Sequence, residues 1–209
     1  WHKTLFRFAK KIGIKIFSTP FDESAVDFLE KLKCPMYKVA SFEMNYIQLI
    51  KKIAKTKKPL IISTGMADLN EIDLAYKTAK RFGAKNISLL YCVSNYPSKP
   101  KDFNMNNIRI LKNKFKCSIG FSDHSNDNKI AMAACAAGAE IFEKHIALKN
   151  QCVGHDIKFS SKGDQIKNYI DEINFTYNLF KKNEFIRSKS EKKIKIYRRS
   201  IFAKLDIFK

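Results

Sequence analysis

CSIGFSDHSNDNKIAMAACAAGAEIFEKHI (Cys117–Ile146) holds one complete fold unit and the start of the next. Cys117–Phe121 is a short, apolar, β-favouring run that leads directly into Ser122, Asp123 and His124. Met132–Ala137 then gives a helix face of small residues, suited to close packing on a sheet, and Gly138 ends it. A second apolar run, Glu140–Ile146, again carries reactive groups, Glu143 to His145. The reading is strand, helix, strand, with polar chemistry at the end of each strand.

Outward from this stretch the unit recurs. Further β-favouring runs lie at Ile14–Phe17, Met36–Ala40, Leu60–Ile62 and Ile87–Val93, making six in all. Helical patterns separate them. Asp68 with Glu71 forms a capping signature, with Leu69, Ile72, Tyr76 and Ala79 on one face. Gly13, Gly83 and Gly138 each sit between a helix and the next strand. Trp1–Lys11 reads as a helix, and Gln165–Phe180 as a last amphipathic one facing inward through Ile166, Tyr169, Ile170, Ile173, Tyr177 and Phe180.

Alternating βα units require a parallel sheet covered by helices, either an open doubly wound sheet or a closed barrel. No Gly-rich phosphate fingerprint follows the first strand, which argues against the open sheet. Every run instead ends in reactive side chains: Ser18-Thr19, Lys38 to Glu43, Ser63-Thr64, Ser94 to Tyr96, Ser122 to His124 and Glu143 to His145. Barrel enzymes assemble their sites from the C-terminal ends of several strands. The expected fold is α/β, an incomplete TIM (β/α)8 barrel with six βα units present and the first two strands missing.

As chemistry, Lys38 and the hydroxyls of Thr19, Ser41, Ser63, Ser94 and Ser122 offer one cation and several donors to a phosphate or carboxylate. His124 and His145 end successive strands, placing two imidazoles within reach of one divalent metal. Glu43 is a carboxylate beside the lysine, available for proton transfer. Plainer readings stand beside these. Thr19 or Asp22 caps the next helix, Asp123 orients a neighbouring histidine, and Cys92 belongs to the core rather than acting as a nucleophile.

The strings FSTPFD (Phe17–Asp22), YKVASFE (Tyr37–Glu43), KKPLIISTGMA (Lys57–Ala67), YCVSNYP (Tyr91–Pro97), GFSDHS (Gly120–Ser125), EKH (Glu143–His145) and GHDIKFS (Gly154–Ser160) together resemble the sialic-acid (nonulosonate) synthase family in order and spacing. The opening WHKTLFRFAKKIGIKIFSTPF and the ASFE form look most like its pseudaminic acid synthase branch, with the N-acetylneuraminate and legionaminate synthases as alternatives. The resemblance implies a phosphoenolpyruvate-dependent transferase that joins C3 of phosphoenolpyruvate to the aldehyde of an N-acetylated amino sugar. Water then adds at C2 and phosphate leaves by C–O cleavage.

It implies that Lys38, Thr19, Ser41, Ser63, Ser94 and Ser122 hold phosphoenolpyruvate and that His124 and His145 hold a divalent metal, Mn²⁺ or Mg²⁺. Glu43 takes the proton-transfer role beside Lys38, and Tyr96 and Asp156 contact the sugar. It also implies a homodimeric parent with a small C-terminal antifreeze-like (SAF) domain, whose start RRSIF (Arg198–Phe202) resembles. The expected divisions are 1–180 barrel, 181–197 linker and 198–209 start of that domain. Because the family's first two strands carry another phosphoenolpyruvate lysine and a sugar-binding glutamate, this chain alone is expected to be inactive.

Composition bounds the remaining classes. The chain has 209 residues, 45% of them hydrophobic, as expected of a globular protein. No apolar run is long enough to span a bilayer, and the start at Trp1 is compatible with a lost leader. Five widely spaced cysteines without a CxxC pair suit reduced thiols in a cytoplasm. The formal charge of +20 raises nucleic-acid binding as an alternative. Its lysines are dispersed rather than gathered in a stripe, so no nucleic-acid and no membrane partner is expected. Two other readings are a Schiff-base aldolase using Lys38 and an inactive fragment.

Overall fold

The computed structural model describes residues 1–182 and 184–208. Asn183 of the expected linker and Lys209 of the expected terminal segment lie outside the described residues. Five strands, β1 (Tyr37–Val39), β2 (Leu60–Ser63), β3 (Ile87–Cys92), β4 (Ser118–Asp123) and β5 (Ile141–Lys144), form one sheet. Every pairing is parallel and spatial order follows chain order, β1-β2-β3-β4-β5. A doubly wound sheet reverses its strand order at a switch point, and this one does not.

The sheet curls. Strands in a sheet lie about 4.8 Å apart, so β1 and β5 in a flat sheet would be separated by roughly 19 Å. Yet Lys38 of β1 lies 3.4 Å from Glu143 of β5. Only strong curvature allows that contact, and the five strands are an arc of a parallel barrel.

Alternation along the strands divides the two faces. Tyr37, Val39, Leu60, Ile62, Leu89, Ile119 and Phe121 point outward and are almost wholly buried under helices. The α3 helix (Ile47–Lys55) buries Leu49, Ile50, Ile53 and Ala54, one stripe at helical period. The α4 helix (Leu69–Arg81) buries Ile72, Ala75, Tyr76 and Ala79, whereas Leu69, at its open first turn, is half-exposed. Its capping box forms as expected: Asp68 Oδ1 accepts from Glu71 N at 2.9 Å and Glu71 Oε2 from Asp68 N at 2.9 Å. Gly83 follows α4 at φ +111°, a conformation that a Cβ would disfavour.

Three expectations need correction. Ile14–Phe17 is not a strand: Phe17 packs against the core, but the sheet pairs only with the following residue, through the Ser18–Tyr37 bridge, and Ile14 is exposed. No ladder extends from that isolated bridge, so the sheet has five strands rather than six. The run Glu140–Ile146 divides at His145. Beyond it β6 (Ile146–Ala147) leaves the main sheet and pairs with β7 (Ser161–Lys162). The α7 helix (Asp164–Phe180) forms as expected, but only Tyr169 of its expected inner face is buried, while Ile170, Tyr177 and Phe180 stay exposed. It packs on α6 (Asn128–Ala136), leaving the rest of its apolar face open among the described residues.

Around these lie α1 (His2–Lys11), α2 (Glu23–Lys31) and α5 (Asn106–Lys114). Asp22, not Thr19, caps α2, its Oδ1 accepting from Ala25 N at 2.8 Å. The short α8 (Lys189–Lys193) stands within the expected linker, and 198–208 form no regular element. All five cysteines are free, with Cys34, Cys92 and Cys135 buried. Among the described residues no helix is long and apolar enough to cross a membrane.

Candidate active site

The concave face of the arc carries the polar residues. Lys38 occupies the middle of β1 between Tyr37 and Val39, so it points opposite to those core side chains. Ser63 ends β2, Cys92 ends β3, and Ser122 and Glu143 stand in register across β4 and β5. Ser41 and Glu43 form the 3-10 turn after β1, and Ser94 and Tyr96 follow β3. Thr19 comes directly after the Ser18 bridge beside β1. These sequence-predicted positions therefore share one rim of the arc.

Glu143 joins them. Its Oε1 accepts the Ser122 hydroxyl at 2.6 Å and lies 3.4 Å from Lys38 Nζ. The carboxylate that meets the lysine is thus on the opposite edge of the sheet, eluding sequence reasoning because nothing local links residues so far apart.

The histidines have defined partners. His124 Nδ1 lies 2.9 Å from the Val93 carbonyl. A carbonyl only accepts, so Nδ1 carries the proton and Nε2 presents a lone pair. Ser122 Oγ lies 3.4 Å from that Nε2, but its single proton is directed to Glu143 at 2.6 Å. Burial pulls the His124 pKa below its ordinary value, against the Val93 bond that raises it. A neutral ring with a free Nε2 and its other nitrogen bonded to a carbonyl is the state of a metal-binding histidine.

The His124 and His145 ring centroids are 5.5 Å apart, a separation two imidazoles can bridge through one cation with bonds of about 2.1 Å. His145 Nδ1 lies 3.4 Å from Asp156 Oδ2. Among the described residues no group of three or more His, Cys, Asp or Glu is arranged to hold a metal ion. His124 and His145 are the two side chains close enough together to share a cation. Tyr96 and Phe159 wall the imidazoles, with Tyr96 4.3 Å from His124 and Phe159 5.0 Å from His145 between centroids.

The other half of the rim is a cradle of unpaired groups. Ser63 Oγ, Ser94 Oγ and Glu43 Oε2 are buried without a hydrogen-bond partner among the described residues. Leaving such a group unsatisfied costs about 1–3 kcal/mol, so each calls for a hydrogen-bond partner, from water or from a ligand. Gly65, at φ +38°, lets the backbone enter here, since a Cβ would lie 2.4 Å from Ser41 Cβ and 2.7 Å from Ser94 Oγ.

Two expectations change at this face. Asp123 orients no histidine: it points to the convex side and binds Ser125 N at 2.8 Å and Lys144 Nζ at 3.1 Å. Cys92 is buried, as expected of a core residue, but its thiol faces the cradle, 3.1 Å from Ser41 Oγ.

A curved parallel sheet with its polar groups at the strand ends is the layout of a βα-barrel enzyme. The model described as the NeuB family matches residues 1–184, and the chain belongs to that family of sialic-acid synthases. It is 40% identical to the N,N'-diacetyllegionaminic acid synthase of Campylobacter jejuni over 100% of this chain and 63% of that protein. With the pseudaminic acid synthase of Helicobacter pylori it shares 37% over 100% of this chain and 62% of the other. The solved N-acetylneuraminic acid synthetase of Leptospira borgpetersenii superposes with a TM-score of 0.88 at 30% identity, covering 94% of this chain and 69% of that one. The chain spans about three fifths of the length of the curated relatives it matches. Identity to the legionaminic and pseudaminic synthases is so similar that it does not single out the pseudaminic branch.

Proposed function

We propose that the chain forms the larger part of a synthase that condenses phosphoenolpyruvate with an N-acetylated amino sugar, giving a nine-carbon sialic-acid-like sugar and phosphate. The observation that carries this reading is a cradle of one lysine and several hydroxyls that shares one concave rim with two imidazoles. Lys38, Thr19, Ser41, Ser63, Ser94 and Ser122 hold phosphoenolpyruvate, the ammonium balancing its charge and the unpaired hydroxyls of Ser63 and Ser94 donating to it. His124 Nε2 and His145 hold the divalent cation, Mn²⁺ or Mg²⁺, which supplies Lewis acidity toward the sugar aldehyde when bound.

Tyr96 and Asp156 hold the sugar at the outer edge of the histidines. Glu43, its Oε2 sheltered and unpaired, moves a proton as water adds at C2. Glu143 fixes Ser122 and Lys38 before substrate arrives, and Phe159 with Tyr96 packs against the imidazoles. The pseudaminic precursor is one candidate sugar, and the legionaminic and neuraminic precursors are the others. The setting is cytoplasmic, and the working parent is a homodimer whose antifreeze-like domain begins near Arg198.

Assaying phosphate release from phosphoenolpyruvate with each amino sugar in turn, using the longer parent protein and Mn²⁺, tests the proposal. Sugar-dependent phosphate release abolished by chelator is expected. Turnover undiminished in chelator would remove the metal role, and a borohydride-reducible adduct at Lys38 would replace the mechanism with a Schiff-base one.

A further inference from the structure

The Cys92 thiol is 2% exposed, yet it does not sit among apolar side chains alone. It ends β3 in register with Ser122 and so shares the concave face. Gly65 N–H donates to its sulfur at 3.3 Å, and Ser41 Oγ lies 3.1 Å from the same atom. One side chain from β3 therefore ties together the turn after β1 and the loop after β2, the two backbone segments that border the cradle.

Either atom of the Cys92–Ser41 pair can donate, and the bond that the sulfur already accepts from Gly65 favours the thiol as donor. An amide N–H only donates, so sulfur accepts from Gly65 and keeps its own proton for another acceptor. Directed at Ser41 Oγ, that proton leaves the Ser41 hydroxyl hydrogen free to turn elsewhere. Gly65 has no Cβ to fill the adjoining space, where Ser94 Oγ also lies unpaired. The hydroxyls of Ser41 and Ser94 thus lie together against Gly65.

We infer that Cys92 is a positioning residue for the anion subsite: its thiol fixes the Gly65 loop against Ser41 and turns the Ser41 hydroxyl toward bound phosphoenolpyruvate. The inference rests on the phosphoenolpyruvate reading above. It distinguishes Cys92 from a packing thiol, for which an apolar replacement would change stability but not anion affinity.

The test is calorimetric titration of the chain with phosphoenolpyruvate in wild type, Cys92→Ala and Cys92→Ser, alongside Mn²⁺ titration of each. Alanine removes both bonds and is expected to weaken phosphoenolpyruvate about tenfold, the loss of roughly one hydrogen bond's worth of orientation. Mn²⁺ affinity is expected to stay within about twofold, because no metal ligand is touched. Serine keeps both bonding roles and is expected to restore most of the affinity. Saturating phosphoenolpyruvate should also slow alkylation of Cys92 in the wild type while leaving that of Cys117 unchanged.

Failure of both this chain and the longer parent to bind phosphoenolpyruvate overturns the functional reading itself. Wild type and alanine variant binding equally tightly overturns only the role of Cys92. If the alanine variant does not fold, alkylation decides: a Cys92 rate indifferent to phosphoenolpyruvate sinks the inference.

Discussion

The ammonium of Lys38, on the first strand of the sheet, lies 3.4 Å from the carboxylate of Glu143 on the fifth. The contact spans the concavity and places a charge from each edge of the arc in one sheltered volume. The Lys38 side chain is 13% exposed and that of Glu143 34%, so neither is a freely solvated surface charge.

Removing one partner leaves the other in a poorly hydrated place. Lys38→Met should reduce phosphoenolpyruvate affinity by about a hundredfold, since a charge-assisted contact is lost. Glu143→Gln should lower stability by about 1 kcal/mol, a value reduced from that of a buried pair by the exposure of the carboxylate. Saturating phosphoenolpyruvate should then raise the Tm of Glu143→Gln more than that of the wild type, because the substrate supplies the missing negative charge. Equal shifts in the two proteins would contradict this arrangement.

Gly65→Ala puts a methyl group 2.4 Å from Ser41 Cβ at a backbone φ of +38°. Both crowding and conformation oppose it, for a cost of about 2–3 kcal/mol. Phosphoenolpyruvate binding should be lost by calorimetry, with helix content retained by circular dichroism. Wild-type affinity in this variant would show that the anion lies elsewhere.

Acid stability should depend on Glu30. Burial, the largest single influence on its carboxyl, pushes the pKa up, but bonds from Lys58 and Tyr37 with the Lys58 charge together hold it below the ordinary value of 4.5. The Lys58 bond is 2.6 Å long. A depressed folded pKa means that the unfolded chain takes up the proton first, so this contribution is full above pH 4.5 and fades as pH falls through the folded value. Glu30→Gln should lower stability at neutral pH and flatten its decline below pH 4.5, as measured by urea unfolding across that range.

Much of this was legible in the sequence because it was encoded locally. The Asp68–Glu71 capping box, the closing glycine at 83 and the strand-end Ser122 and His124 all follow from residues close in the chain. What was hidden depended on distance or on partners. Ile14–Phe17 has the composition of a strand but only the next residue, Ser18, bridges to the sheet, and two-residue strands such as Ser161–Lys162 leave no periodic trace. Glu143 stood in plain sight beside His145, yet its link to Lys38 arises only from curvature. The polar setting of Cys92 likewise depends on loops after two other strands.

The proposed condensation requires the imidazoles and the anion cradle to open onto one mouth. The ³¹P NMR linewidth of phosphoenolpyruvate bound to the chain in the presence of Mn²⁺ tests it most directly, because a paramagnetic ion broadens only nearby nuclei. Strong broadening in the wild type is expected, abolished in His124→Ala/His145→Ala while phosphoenolpyruvate still binds. A sharp phosphorus line with both Mn²⁺ and phosphoenolpyruvate bound to the wild type would contradict the account.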